Sequence, residues 1–520
     1  MAPVTIRFDR RPVDTTNIPF KGVGAQLNTN IFRPTSIFPD PANAAKDHPK
    51  DPDQEGQPHA LTQAQRAKLG EAIKNLRLGH SRVFVTRTLT STPEPPPKEL
   101  TAFLDTLRLA QDAGANVNLT FWGQGTYANA KKLKTLHWPE PQRRLWPLER
   151  EHHGHHKWPP QLMAGGALTG PAELMRRFAG IIARARHEGL TCVKYATIQN
   201  EPNQGKTDLA QLGKPILAMR VYERLYRLLD EALTDLQVRR AVSLVGGDLV
   251  LEGNSPQSAW LKYIAKSMDQ PRRRFPSVVD AYSIHVYWEP GGGKRGFPQK
   301  LEDRLKGLRN QRHQFHIHKP IYVTEFGVKK NGKPEPGGLG SGQRIEFNPD
   351  VAFQHAWFMA LAPQYGCAGL VKWVGYRTDR RSGWGEWGMI DAPNPPPGRT
   401  SFGRSPTYRV IRLFNHLVHE DWRADGFGKS KDGMVLASRF KGPAHESVAV
   451  LNRDSRARQV VVEGLRPQKY FLADWNQDKK GGPAKERTQP LVPHGHALPL
   501  TVPALGIVAL STRPLQLSQT

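Results

Sequence analysis

From about residue 20 to residue 418, short β-branched apolar runs alternate with stretches whose apolar residues recur every three or four positions. The runs predict eight strands: Phe20–Gln26, Arg82–Thr86, Asn116–Phe121, Thr191–Ile198, Ala241–Gly246, Val278–His285, Pro320–Thr324 and Gly369–Trp373. Between them, a Thr62/Gln65 capping box precedes Leu69, Ile73 and Leu76 at helical spacing. Leu100, Phe103, Leu104 and Leu107 form the next stripe, which Gly114 is placed to close as a C′ residue. Pro171 opens a helix with Leu174, Phe178, Ile181 and Ile182 on its apolar face. Leu225, Leu228 and Leu229 serve the fourth helix, Trp357, Phe358 and Leu361 the seventh, and Val410, Leu413, Phe414 and Leu417 the last. Repeated βα units argue for a parallel sheet, and eight of them are the count of a closed (β/α)8 TIM barrel.

After about residue 419 the texture changes. Met434–Phe440, Glu446–Leu451, Gln459–Val462, Tyr470–Asp474 and Ile507–Ser511 are short runs punctuated by Gly, Pro and Asn, the pattern of a small antiparallel β-sandwich. Val4-Thr5-Ile6-Arg7-Phe8 alternates like a strand and needs a sheet to join. The expected organisation is an N-terminal strand within residues 1–19 that joins the sandwich, a barrel over 20–418, and the sandwich over 419–520. Three long segments follow strands on the face where such barrels carry their sites: Gly123–Gly170, Val328–Asp350 and Gly375–Ser405.

Composition narrows the picture. With 38% hydrophobic and 23% charged residues the chain is of globular type. No apolar run is long enough to span a bilayer, and Met1 to Phe20 holds no apolar leader core, so no membrane partner and no signal peptide are expected in the chain as it stands. This leaves a cytoplasmic protein or a secreted one with its leader removed. Cys192 and Cys367 fall on opposite sides of the expected barrel, which argues against a disulfide. The formal charge of +27 fits either a solvated basic surface or an acidic partner such as a uronate-bearing glycan. The basic pairs are scattered and no nucleic-acid-binding motif accompanies them, so no nucleic-acid partner is expected.

The chemistry concentrates at two strand ends. Ala196-Thr197-Ile198-Gln199-Asn200-Glu201-Pro202 and Ile321-Tyr322-Val323-Thr324-Glu325-Phe326-Gly327 each run from apolar residues into a glutamate. A carboxylate at the tip of a buried strand is costly unless it is used. Two of them on the fourth and seventh strands predict paired carboxyl groups facing one pocket, the equipment of a glycosidase. Glu201 is the candidate acid/base and Glu325 the candidate nucleophile, with Gly327 expected to let the chain turn sharply. Period-two spacing puts His285 and Tyr287 on one face of the sixth strand, where Tyr287 can bond the nucleophile and His285 can support the glutamates or bind substrate. Arg82 is placed to fix the nucleophile by a charge-assisted bond. Trp373, Trp122, Trp384 and Trp387 are candidates for stacking on sugar rings, and Asn200 for binding a sugar hydroxyl. His152-His153-Gly154-His155-His156 lacks a partner ligand pattern and reads as a solvated loop, so no metal and no organic cofactor are expected.

Asn200-Glu201-Pro202, His285-Val286-Tyr287, Glu325 and Trp373, at the ends of strands four, six, seven and eight, resemble clan A of the retaining glycoside hydrolases. The likeness covers roughly residues 20–418. The sandwich is similar to the companion domain of families 39, 30 and 51, with family 39 loosely nearest. The resemblance implies Glu201 as acid/base, Glu325 as nucleophile and Asn200 as binder of the 2-hydroxyl, acting on an oligosaccharide or polysaccharide. The chain departs from the pattern at strand three, where several clan members carry a histidine and this sequence has Phe121-Trp122-Gly123. A glycan-binding barrel without turnover and a transglycosylase using the same site are the competing expectations.

Overall fold

The computed structural model describes residues 3–8, 18–32, 63–90, 92–122, 163–164, 167–168, 171–203, 219–250, 257–270, 276–289, 297–328, 345–376, 388–391, 403–476 and 482–517. Eight parallel strands close into a barrel: β1 Val23–Leu27, β2 His80–Thr86, β3 Asn116–Trp122, β4 Val193–Ile198, β5 Ser243–Val250, β6 Ala281–Trp288, β7 Ile321–Val328 and β8 Cys367–Lys372. β8 pairs with β1 through Leu370↔Val23, which closes the ring. Eight main helices follow the strands in turn: α1 Gln63–Lys74, α2 Pro97–Asp112, α3 Pro171–His187, α4 Met219–Asp235, α5 Gln257–Tyr263, α6 Gln299–Gln314, α7 Pro349–Leu361 and α8 Pro406–Leu417. Gly114 adopts a φ of +77° just beyond α2, the left-handed stop expected of a C′ glycine. Cys192 and Cys367 are both buried and unpaired. Among the described residues no helix is long and apolar enough to cross a membrane.

Three strands run several residues further than the sequence pattern predicts. β5 continues past Gly246 to Val250, β6 past His285 to Trp288, and β7 past Thr324 to Val328. β8 stops one residue short of Trp373. The extension of β5 passes through a bulge at Gly246–Leu249, where its register against β6 shifts. Gly247 there has a φ of +148°, and a Cβ would sit 2.0 Å from the Ser283 carbonyl oxygen, so only glycine fits. Tyr222 of α4 braces the bulge, accepting from Gly247 N at 2.8 Å and donating to its carbonyl at 3.2 Å.

Behind the barrel, six strands form one sheet in the order β9-β10-β11-β16-β13-β14: β9 Arg423–Lys429, β10 Val435–Lys441, β11 Glu446–Asn452, β13 Phe471–Asn476, β14 Lys485–Glu486 and β16 Gly506–Ser511. A second sheet pairs the N-terminal strand Val4–Arg7 in parallel with β12 Arg458–Glu463, which pairs antiparallel with β15 Ala497–Val502. Strand alternation gives the larger sheet two buried faces. Val435, Ala437, Val448 and Val450 meet Ile6, Val460 and Val462 of the second sheet. Leu436, Phe440, Ala449 and Leu451 belong instead to the core shared with the barrel helices. Ser438 on that inner face donates to the Ala360 carbonyl of α7 at 2.7 Å and accepts from Gln364 at 2.8 Å, which fixes the sandwich to the barrel wall.

Candidate active site

The barrel interior is layered. At its N-terminal end His80 stacks on Tyr322 at 4.1 Å and meets the edge of Tyr195, an aromatic plug. Above it the lining turns polar: Arg82, Asn118, Thr120, Thr197, Asp248, Ser283, His285 and Thr324 are all buried. The polar layer lies towards the C-terminal ends of the strands, where such barrels carry their sites.

Glu325 sits within β7, and its side chain is 5% exposed. Arg82 Nη2 donates to its Oε1, and Tyr287 Oη donates to its Oε2 at 2.6 Å. His285 Nδ1 lies 3.3 Å from the same Oε2. Burial pushes the Glu325 carboxyl up, but Arg82, His285 and the Tyr287 hydroxyl outweigh it and hold the group below its ordinary value. Gly327 makes no turn: β7 runs on through it, and its missing side chain leaves space for the Tyr287 ring, which a Cβ would approach to 3.2 Å.

Glu201 follows the end of β4 on an irregular turn. Gln199 and Glu201 both take left-handed φ values, +66° and +49°. Asn203 pins the turn to the end of β5, donating to Val250 O at 3.2 Å and accepting from Val250 N at 3.0 Å. The Glu201 side chain is 24% exposed, and its Oε1 lies 3.0 Å from His285 Nδ1. Glu201, His285 and Glu325 thus each place one oxygen or nitrogen within 4.8 Å of the others. These are also cation-ligand types, but the fixed Arg82 guanidinium on Glu325 opposes a divalent ion at this spot.

Arg82, fully buried, ties the layer together. Its Nε donates to Gln26 at 2.5 Å, and Nη1 to Asn200 at 3.1 Å and Asp248 at 3.3 Å. Its guanidinium carbon lies 4.5 Å from the Phe84 ring centre and 5.6 Å from that of Trp373. Burial pulls the His285 imidazole down, yet Glu325, Asp248 and Glu201 together raise it to about 9, so it carries a proton at neutral pH.

Six residues singled out from sequence therefore converge: Arg82, Asn200, Glu201, His285, Tyr287 and Glu325. Trp373 joins them against Arg82 and Phe84, followed by a cis peptide to Val374. Trp122 closes β3 opposite Thr86. Trp384, Trp387 and the histidines at 152–156 lie outside the described residues, as do most of the three long segments. Asp248 and Asn203 escaped the sequence reading. The signal for Asp248 was the Gly246-Gly247 pair, because glycine within a strand pattern often marks a bulge.

No protein-family model matches the sequence, and no curated protein matches it. Solved structures do match its fold. The catalytic domain of the family 30 xylanase C from Talaromyces cellulolyticus aligns with a TM-score of 0.58 at 10% identity, over 98% of this chain and 99% of that one. A conserved exported protein from Bacteroides fragilis reaches 0.62 at 12% identity, over 98% and 100%. The family 51 arabinofuranosidase from Xanthomonas axonopodis pv. citri reaches 0.57 at 13% identity, over 98% and 100%. The chain has the barrel-and-sandwich fold of clan A glycoside hydrolases. Two of these neighbours come from families 30 and 51, both named from the sequence, and the nearness to family 39 is not among what the neighbours show.

Proposed function

We propose that the protein is a retaining glycoside hydrolase that cleaves O-glycosidic bonds of a plant or microbial glycan through Glu201 and Glu325. The observation that carries this reading is the spacing: carboxylate oxygens of both glutamates lie within 4.8 Å of each other, with His285 beside them. Carboxyl groups of retaining glycosidases stand about 5–5.5 Å apart, and those of inverting ones roughly 6.5–9.5 Å, which leaves room for a water.

The two environments fit two roles. Glu325 is buried, ionised and triply held, as a nucleophile needs to be. It attacks the anomeric carbon and forms a glycosyl ester. Glu201 is the more exposed carboxyl, and its Oε1 lies 3.0 Å from His285 Nδ1. In its protonated form it donates to the leaving oxygen. In the second step it takes a proton from the water that opens the ester. Asn200, whose side-chain oxygen accepts from the same Arg82 that holds Glu325, is assigned the binding of a sugar hydroxyl through its amide N–H.

The names of the structural neighbours, a xylanase and an arabinofuranosidase among them, make pentose-containing polysaccharides the first substrates to try. The test is a panel of aryl glycosides and plant and microbial polysaccharides, followed by a 2-deoxy-2-fluoro glycoside of whichever sugar reacts. The expected result is hydrolysis with retained anomeric configuration and a trapped adduct on the peptide containing Glu325. Glycan binding without any turnover, or an inverted product, overturns the reading.

A further inference from the structure

We propose that Asp248, which touches no solvent, is a positioning residue for this site: the anion on the β5 bulge that holds Arg82 and His285 in place for the two glutamates. The proposal rests on the functional reading above but has its own structural basis. One carboxylate is bonded across the barrel to four other strands. Its Oδ1 accepts from Ser283 of β6 at 2.8 Å and from Thr324 of β7 at 2.5 Å. Its Oδ2 accepts from Arg82 of β2 at 3.3 Å and Thr120 of β3 at 3.4 Å. His285 Nε2 stands 3.8 Å from Oδ1, an ion-pair distance.

The backbone is shaped for this one side chain. Asp248 has a φ of +53°, an uncommon conformation for aspartate, and follows Gly247 in the braced bulge. A regular strand would continue the alternation and turn residue 248 elsewhere. Strain and a buried charge together are costly, and they persist where the surrounding structure needs them. Here the result is charge balance. Arg82 and the imidazolium of His285 are two cations, and Glu325 and Asp248 are two anions, all fully or almost fully buried. Without Asp248, Arg82 Nη1 would keep only Asn200 as an acceptor and would stand 3.3 Å from the protonated His285 Nε2, with no anion between the two cations. Glu325 would then face an excess of positive charge, which makes a carboxylate a poorer nucleophile.

The sign of the effect on proton affinities is fixed by electrostatics. The ionisable groups facing Asp248 are Arg82 and His80 on β2, His285 on β6, and Tyr222 and Tyr226 on α4. Those facing His285 are Asp248, Arg82, Glu201 and Glu325. Arg82 stays charged, the tyrosines stay protonated and His80 stays neutral throughout the working range, so the response falls on His285 and Glu325. Removing a buried negative charge lowers both their pKa values together.

The experiment compares the whole protein with Asp248→Asn. The histidine side chains are isotopically labelled, and the His285 resonance is assigned by its loss in His285→Gln. In the wild type, both His285 ring nitrogens carry protons at pH 7. In Asp248→Asn the imidazole titrates lower by about one pH unit or more. The acid limb of the kcat/KM profile on a cleaved aryl glycoside moves to lower pH, and kcat falls tenfold or more while KM changes little. A neutral His285 in the wild type overturns the proposal even if the variant does not fold. So does a folded variant whose His285 titrates as in the wild type. If no substrate is turned over, the glycosidase reading fails and the resonance measurement still decides the role of Asp248.

Discussion

Two buried ionic clusters flank the C-terminal half of the barrel, built from similar ingredients. The inner one joins Arg82, Asp248, His285 and Glu325. The outer one lies behind β8 and joins Lys372, Glu346 and His355, all fully buried. Lys372 Nζ meets Glu346 Oε1 at 2.8 Å and also donates to the Trp373 carbonyl. The two respond to burial in opposite ways. In the inner cluster the carboxyl groups are held low and the histidine high, so charge is kept. In the outer one burial dominates: it pushes Glu346 up, Lys372 down and His355 well down, so charge is discouraged. The difference lies in donors. Asp248 and Glu325 accept from Arg82, Ser283, Thr324, Thr120 and Tyr287 between them, whereas Glu346 has only Lys372 and Thr407 to offset its burial. Charge survives in a barrel interior when enough donors replace the lost water.

The sharpest way to break this comparison is Glu325→Gln. It removes the negative charge without changing the shape, and activity on any hydrolysed glycoside is expected to fall at least about ten-thousandfold in kcat. If the inner cluster were only structural, stability would change and turnover would not. The outer pair gives the next largest effect, in the opposite property. Lys372→Met alone strands a buried carboxyl and is expected to cost about 3 kcal/mol in urea unfolding. Lys372→Met combined with Glu346→Leu restores most of it. A double variant as unstable as the single one would show that the pair is worth more than apolar packing.

A third prediction concerns pH. The folded-state value of His285 is raised from 6.5 to about 9, so its contribution is fully present below pH 6.5 and is lost as pH rises towards 9. Unfolding free energy should decline by roughly 3 kcal/mol over that window relative to His285→Gln, and His355 should add nothing there because it is neutral throughout. The smallest effect expected is that of Tyr287→Phe. It deletes the 2.6 Å hydrogen bond to Glu325, so the carboxyl becomes more basic and the acid limb of kcat/KM moves up by about one pH unit. A limb that moves down would contradict the assignment of Glu325 as the ionised partner.

Much of this was legible in the sequence, for a physical reason. Barrel strands buried on both faces read as apolar runs, and helices packed on one face read as stripes, so the eightfold order shows in residues such as Leu225, Leu229 and Trp357. The two glutamates were visible because each interrupts such a run. Asp248 was hidden by the glycines before it: they end the apolar run, and only the tertiary braces from Tyr222 and Ser283 keep the strand going. Glu346 was hidden because nothing local marks a loop glutamate that will be buried by Lys372. β9 and β15 were missed because Arg423–Lys429 is polar with two glycines and Ala497–Val502 contains Pro499, both marks of edge or outer strands.

The pairing of Val4–Arg7 with Arg458–Glu463 carries a consequence for biosynthesis. Val4 lies opposite Val460, so the segment leaves the ribosome some 450 residues before its partner. At about 5–20 residues per second, it waits tens of seconds with its backbone hydrogen bonds unmade. The barrel strands all precede that partner in the chain, so the ring can close first and this strand is added afterwards, when the sandwich arrives. Assembly thus ends where translation of residues 4–7 began, and a nascent chain stalled before residue 458 would carry an intact barrel with a loose apolar strap.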